Sequence, residues 1–221
     1  MWVPLLAIGQ VLRVTKNQGF ALTACGIGAA AYTLVVRLII PDVQGHWAQR
    51  LEVLGATVRD QGGTFFGDDE LQTIAAVMHE STIVVVGLFW ISAILVARWW
   101  QSTLYNPGGF GVEFRQLQIP KPVSLIAALV AVTTLLQISG GSNHGLANDL
   151  LVVLVILFAF QGLAIVHHRV NKVGLAKVWL VGFYVLLVLM PNRVGLMLAF
   201  LGIADTIIDT RRLRTTKKST D

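Results

Sequence analysis

Charged residues are scarce in this sequence, and their scarcity excludes an ordinary soluble domain. They make up 13% of the 221 residues, whereas soluble domains contain roughly 25%. Residues of the hydrophobic class make up 55%, and many stand in runs long enough to cross a bilayer, which takes about 20 mostly apolar residues per helix. The composition therefore predicts an all-α integral membrane protein, a polytopic bundle of transmembrane helices forming a single domain over residues 1–221.

Cysteine is almost absent, and so are the motifs of enzymes. The one cysteine, Cys25, lies inside an apolar run, so no intrachain disulfide can form and cysteine pairing does not indicate a compartment. No Ser-His-Asp or Cys-His arrangement, zinc-ligand pattern or phosphate loop can be assembled at ordinary spacing. We therefore expect a protein that is not an enzyme and that has no cofactor and no metal site.

Six apolar runs are predicted to span the membrane. They are Phe20 to Ile40, Ile83 to Trp99, Val123 to Ile138, Leu150 to His167, Leu175 to Met190 and Val194 to Ile208. Pro191-Asn192 marks a tight hairpin between the last two. A seventh stretch, Trp2 to Leu12, is too short to span. It is a re-entrant or interfacial piece, or the inner half of a helix that starts upstream of Met1, and we favour the last of these.

The basic residues are distributed unequally between the two sides of this arrangement. Thirteen of the 17 Lys and Arg residues fall on one side, and only Arg50, Arg59 and Arg193 fall on the other. The positive-inside rule places the thirteen in the cytoplasm. Both ends of the chain then lie near the cytoplasmic side, if the first short stretch does not span. The basic tail at 209–221 is predicted to be a solvated anchor, with binding to anionic lipid as the alternative. No nucleic-acid partner is expected.

The long outer connection, residues 41–80, carries a helical pattern. Trp47, Leu51, Leu54 and Val58 share one helical face, which predicts an amphipathic helix on the outer leaflet or over the bundle. Acidic residues at 68–70 follow the Gly62-Gly63 turn, where negative charge favours a helix N-terminus. The second membrane helix is therefore predicted to begin near Asp69, outside the lipid.

Charged residues near the outer ends of the spans are the candidate ligand-binding residues: Arg37, Glu80, Asp149 and Arg193. Ionisable groups in membrane spans cost roughly 2.5 to 3.5 kcal/mol at the helix centre, so each one invites a functional interpretation. If the helices form a bundle, the two arginines can pair with the two carboxylates or line a polar cup that opens outward. The alternative is a set of ordinary interface residues and ion pairs at helix ends.

Three features of the spans favour packing over chemistry. Gln161, deep in the fourth span, is predicted to be an interhelical hydrogen-bond partner rather than a ligand contact. Asp205 and Asp209 share a helical face, and we expect basic residues to pair with them rather than a metal ion. The small residues Ala24 to Ala31 allow close approach of another helix, either from the same chain or from a partner membrane protein.

The stretch "NPGGFGVEFR", Asn106 to Arg115, has three glycines in four positions but lacks the pattern of a phosphate loop. Its glycines permit the sharp turn that follows a membrane helix. Phe110, Val112 and Phe114 then alternate with other residues, and Leu117 and Ile119 extend the apolar positions. This alternation predicts a cytoplasmic turn followed by a strip at the lipid interface.

Three segments together carry a family resemblance: "NPGGFGVEFRQLQIPKP", "FQGLAIVHHRV" at Phe160 to Val170, and "LGIADTIIDTRR" at Leu201 to Arg212. They resemble the YybS-like family of uncharacterised bacterial membrane proteins. The resemblance implies a multi-helix protein of the bacterial cytoplasmic (inner) membrane. More remotely, the family is similar to the substrate-binding membrane subunits of energy-coupling-factor vitamin transporters, which capture a small ligand from outside. No ligand motif of those subunits is present, so no binding residue is carried over.

These observations favour a ligand-capturing transporter subunit that is embedded in membrane lipids. Partner proteins would supply the energy for transport. The alternative is a scaffold that organises cell-envelope or division machinery through the small-residue face, the amphipathic helix and the basic tail. A polar cavity bordered by Arg37 and Asp149 favours transport, whereas a solid bundle favours a scaffold.

Overall fold

The computed structural model describes residues 2–64, 66–139, 145–176 and 178–208, and within these ranges it consists of helices joined by short connections, with no strand. The helices are α1 Trp2–Thr15, α2 Gln18–Ile39, α3 Val43–Asp60, α4 Asp68–Tyr105, α5 Gly109–Arg115, α6 Lys121–Ser139, α7 Leu146–Val173, α8 Val178–Leu189 and α9 Pro191–Ile208. The predicted all-α bundle is confirmed. The basic tail and Asp209 lie outside the described residues.

Among the described helices, five are long and apolar enough to cross a membrane: α2, α4, α6, α7 and α9. The predicted span Leu175 to Met190 forms α8, which has 12 residues and a length of about 18 Å at 1.5 Å per residue. That is shorter than the hydrocarbon core of about 30 Å. Helix α1, with 14 residues, is also too short, as the sequence predicted. Length therefore identifies five spans where the hydropathy pattern indicated six.

Helix α4 begins outside its apolar core, as predicted. It starts at Asp68, next to the expected Asp69, and the Glu70 carboxylate accepts a hydrogen bond from the Gly67 amide at 3.1 Å. Three acidic residues in the first turn complement the positive end of the helix dipole. Its 38 residues extend about 57 Å, so α4 projects beyond the bilayer and provides a surface for α3.

The amphipathic helix predicted in the outer loop is α3, and it packs on α4. Small residues make its closest approach, since Ala48 and Gly55 are buried while Leu54 is 55% exposed. The side-chain amide of Gln44 also donates to the Gln72 carbonyl oxygen at 3.4 Å. Helix α3 therefore lies over the bundle, which was one of the two positions predicted for it.

The small-residue run Ala24 to Ala31 packs inside the chain. A Cβ added at Gly26 would lie 3.2 Å from Leu157 of α7, and one at Gly28 would lie 2.8 Å from the Trp90 ring of α4. The helices that approach this run therefore belong to the same protein. Binding of a partner membrane protein stays a prediction, and it would have to use the exposed flank at Ile27 and Ala31.

The closest helix pair is α7 and α9. A Cβ added at Gly162 would lie 2.0 Å from the Leu198 carbonyl oxygen, and one at Gly202 would lie 2.2 Å from the Phe158 carbonyl oxygen. Glycine at both positions lets the two backbones come into contact. In lipid the hydrophobic effect does not drive helices together, so close packing of this kind contributes to their association.

The interfacial strip predicted after Asn106 is wrong. Residues Gly109–Arg115 form helix α5, entered through Gly108 in the left-handed conformation at φ +86°. Phe110 and Phe114 therefore stack on one helical side, with ring centroids 5.9 Å apart. Leu117 and Ile119, at 2% and 1% exposure, belong to the core rather than to a surface. The alternation of apolar and other residues covers too few positions to distinguish an extended segment from one face of a helix.

Candidate functional site

A buried ionic cluster joins three helices at one end of the bundle. Asp149, in the first turn of α7, is fully buried at 0% exposure. Its Oδ2 accepts a hydrogen bond from Arg37 Nε of α2 at 2.5 Å, and its Oδ1 lies 3.0 Å from His79 Nε2 of α4. We refer to these three residues as the Asp149 cluster and to this end as the Asp149 end.

Two members of the cluster, Arg37 and Asp149, lie where a helix terminus supports their charge. Arg37 lies in the last turn of α2, where the helix dipole favours a cation, and Asp149 lies in the first turn of α7, where it favours an anion. His79 is held in the buried face of α4, at 5% exposure. The pairing of Arg37 with Asp149 that the sequence suggested is therefore confirmed.

The other two candidate residues lie apart from the cluster. Glu80 is exposed, and among the described residues its carboxylate accepts one long hydrogen bond, from the Asn148 side chain at 3.5 Å. Arg193 is exposed in the first turn of α9 and forms no ion pair with any described residue. Ligand binding by either residue stays a prediction. His144, a further polar residue close to the start of α7, lies outside the described residues.

His79 was the member of the cluster that sequence reasoning did not select. It precedes Glu80 in the chain, and the formal charge of Glu80 drew the prediction. Successive residues of a helix point about 100° apart, and here His79 faces the bundle interior while Glu80 is exposed. The burial pattern of α4, with Leu71, Ala75, His79 and Ile83 buried, follows a spacing of four residues that includes His79 and excludes Glu80.

A cavity of about 280 Å³ lies beside the cluster, between α2, α3 and α4. Its walls are largely apolar and include Val36, Ile40, Trp47 and Ile83. His79 reaches it from α4, so this one side chain both contacts Asp149 and lines the cavity. The sequence predicted that Arg37 and Asp149 would border the cavity. Instead, His79 lines the cavity and links it to Asp149. We call this space the α2–α4 cavity.

Two further polar side chains of the cavity come from α3. Arg50 Nε donates to His46 Nε2 at 2.9 Å, and both residues line the cavity. Within the described part of the chain, Arg50 has no carboxylate partner. The set of residues that line the cavity contains no Asp or Glu, so its formal charge is positive.

A second buried polar network lies where α7 meets α9. Gln161 accepts a hydrogen bond from the Ile119 amide at 2.9 Å and donates to Asp205 Oδ2 at 3.2 Å and to Thr206 Oγ1 at 3.0 Å. Gln161, Asp205 and Thr206 are all at most 1% exposed. The predicted interhelical hydrogen bond of Gln161 is confirmed, and it fixes the segment that leads into α6.

A third network, at the opposite end, was missed in the sequence. The Glu113 carboxylate of α5 accepts hydrogen bonds from the Gln18 side chain, at 3.0 Å, and from Arg98. It thereby joins α2, α4 and α5. A signal was present, because Glu113 is the one acidic residue between α4 and α6, in a part of the sequence that also holds Arg98, Arg115 and Lys121. We call this the Glu113 end.

The helix lengths, the apolar surface and the ion cluster at a helix end define a polytopic helical membrane protein. No curated protein and no solved structure matches the chain. The chain does belong to a known family: residues 70–206 match the family described as "Predicted membrane protein (DUF2232)". The match includes His79 and Asp149, and it begins after Arg37 and Arg50.

Proposed function

We propose that the protein is a membrane subunit that binds a small ligand in the α2–α4 cavity and presents it to partner proteins that supply the energy for transport. The cavity supports this proposal. At about 280 Å³ it is close to the lower end of the range of ligand pockets, which is about 300 to 1,000 Å³. A scaffold would be expected to have a solid bundle here, so the open space supports ligand binding. The cavity differs from the polar one that the sequence predicted, since its walls are largely apolar and His79, rather than Arg37 or Asp149, lines it.

The Asp149 cluster gives the cavity a rigid polar wall. Arg37 and Asp149 offset each other's charge, and Asp149 orients the His79 ring through Nε2. A buried carboxylate with two partners is costly to disturb, so His79 is held in place without help from a ligand. A preorganised polar group in an apolar cavity is the usual arrangement in binding sites for small molecules.

Blocking the cavity is expected to remove a ligand that co-purifies with the protein. Thr82 lines the cavity and bonds the Met78 carbonyl oxygen, so Thr82→Phe would fill the space from within α4. Thr103 makes the same type of bond, to the Trp99 carbonyl oxygen, at the Glu113 end, and Thr103→Phe is the matched control. We expect mass spectrometry of extracts to find a small molecule with the wild type and the control and to find little with Thr82→Phe.

We propose further that the Asp149 end faces outward and the Glu113 end faces the cytoplasm. Contacts among Gln18, Glu113 and Arg98, and between Phe114 and His167, bring together helix ends that carry seven described Lys and Arg residues, at 13, 16, 98, 115, 121, 169 and 172, and such an excess is typical of the cytoplasmic side. The one native cysteine, Cys25, is buried, so an added cysteine can be labelled selectively. In intact cells a membrane-impermeant maleimide should label Arg59→Cys, at the end of α3, and should leave Tyr105→Cys, at the end of α4, unlabelled until the cells are broken. The reverse result would invert the proposed orientation.

A further inference from the structure

We infer that the ligand of the α2–α4 cavity is an amphiphilic anion, with a carboxylate or similar head held by Arg50 and an apolar body held between α2 and α4. This inference rests on the proposed function and specifies the chemical class of its ligand. Three observations carry it: the charge of the cavity, the geometry of its cation and the composition of its walls.

The charge of the cavity favours an anion. Arg50 is its one formally charged residue and, within the described part of the chain, forms no salt bridge. The nearby Asp149 carboxylate does not offset Arg50, since it is already paired with Arg37 at 2.5 Å and lies behind His79. Arg50 is itself an exposed residue, so a ligand can reach its guanidinium from the open side of the cavity, and an anionic head would supply the opposite charge that the described lining lacks.

The geometry of Arg50 leaves its terminal nitrogens available to a ligand. Its Nε donates to His46 Nε2 at 2.9 Å, so the Nε–H already has an acceptor. The two terminal NH₂ groups then present the parallel donors that suit a carboxylate or phosphate. His79, on the opposite wall, adds a ring nitrogen that Asp149 does not use, because Asp149 contacts only Nε2.

The apolar walls require the rest of the ligand to be apolar. Val36 and Ile40 come from the end of α2, Trp47 from α3 and Ile83 from α4. A wholly polar ion would leave these side chains in contact with water. An alkyl or aromatic body would instead bury them, with a favourable binding free energy of about 25 cal/mol for each Å² of apolar surface buried. The small volume limits that body to a short chain or a single ring system.

Octanoate, octanol and octylamine test this inference, since they share one alkyl chain and differ in the charge of the head. Binding is measured from the rise in thermal unfolding temperature of the wild-type protein in dodecyl maltoside. We expect octanoate to bind more tightly than the other two probes. Arg50→Gln should lower the affinity for octanoate by on the order of tenfold or more, and Arg50→Lys should retain part of the preference because it keeps the charge.

Arg59→Gln is the matched control, since Arg59 is an exposed arginine of the same helix that does not line the cavity. We expect it to bind octanoate as the wild type does. Equal binding of octanoate and octanol by the wild type, or equal losses in Arg50→Gln and Arg59→Gln, would overturn the assignment of an anion. Either result would leave open only the chemical class of the ligand, because the Thr82→Phe comparison tests separately whether a ligand binds in the cavity.

The same chemistry can come from a free amphiphile or from the head of an anionic lipid, and nanodiscs distinguish these sources. If phosphatidylglycerol in phosphatidylcholine discs competes with octanoate for the wild type but has no such effect on Arg50→Gln, a lipid head occupies the site. If octanoate binds equally in both kinds of disc, the ligand is a free anion. Octanoate binding that is absent from both kinds of disc and from detergent would contradict the inference.

Discussion

Asp149→Asn is expected to destabilise the protein by about 1 to 3 kcal/mol, because a fully buried carboxylate that binds two side chains is replaced by a neutral amide with only one acceptor oxygen. Asp149 is fully buried and contacts both Arg37 and His79, so the substitution weakens the attachment of α7 to α2 and α4 together. The loss is measured as a fall in the free energy of unfolding in a titration with sodium dodecyl sulfate, followed by circular dichroism.

Glu80→Gln is the matched control for this result, since Glu80 is an exposed carboxylate at the same end of the bundle. Exposed charges contribute about 0 to 1 kcal/mol, so Glu80→Gln should unfold much as the wild type does. The double variant Arg37→Gln, Asp149→Asn should lose less than the sum of its single variants, because neither charge then lacks the other. Equal stability of Asp149→Asn and Glu80→Gln would show that the cluster does not hold the bundle.

Gly162→Ala and Gly202→Ala are expected to separate α7 from α9, with a loss of about 1 to 3 kcal/mol or more each from overpacking. The added methyl groups would lie 2.0 Å and 2.2 Å from carbonyl oxygens of the facing backbone. A helix backbone cannot relieve the overlap by changing rotamer as a side chain can, so the two helices must move apart. The Gln161 network depends on the same spacing, and its bonds to Asp205 and Thr206 would lengthen.

Gly195→Ala and Gly182→Ala provide the controls for the glycine variants, since an added Cβ at either position meets nothing within 4 Å. Alanine is favoured over glycine in a helix by about 1 kcal/mol, so these variants should be neutral or slightly more stable than the wild type. The same detergent titration measures all four. If Gly162→Ala is as stable as Gly195→Ala, then the close backbone contact of α7 and α9 does not hold them together.

The membrane helices could be predicted from the sequence because a helix that spans lipid needs a long, mostly apolar run, which is easy to recognise. Apolar runs located α2, α4, α6, α7 and α9, and the acidic residues at 68–70 located the start of α4. The length of α8 could not be predicted as well, since the apolar run continues into Leu175 and Met190 while the helix stops inside it. Hydropathy reports which residues tolerate lipid and does not report where a helix ends.

The site could be predicted only in part, because charge identified candidates without giving their orientation. Arg37 and Asp149 were recognised and do form a pair, 112 positions apart in sequence. His79 and Arg50 were not selected, since a histidine beside a glutamate and an arginine on an amphipathic helix resemble ordinary surface residues. Their common position at the α2–α4 cavity depends on how α3 lies across α2 and α4, and that packing uses Ala48 and Gly55, which carry little signal of their own.

The comparison of extracts from the wild type and Thr82→Phe tests the central claim most directly, since its outcome does not depend on which small molecule the ligand is. The proposed function predicts one small molecule, at about one molecule per chain, that is retained by the wild type and by Thr103→Phe and is lost from Thr82→Phe. A wild type that retains no small molecule, or a Thr82→Phe variant that retains the same molecule in the same amount, would contradict ligand binding in the α2–α4 cavity.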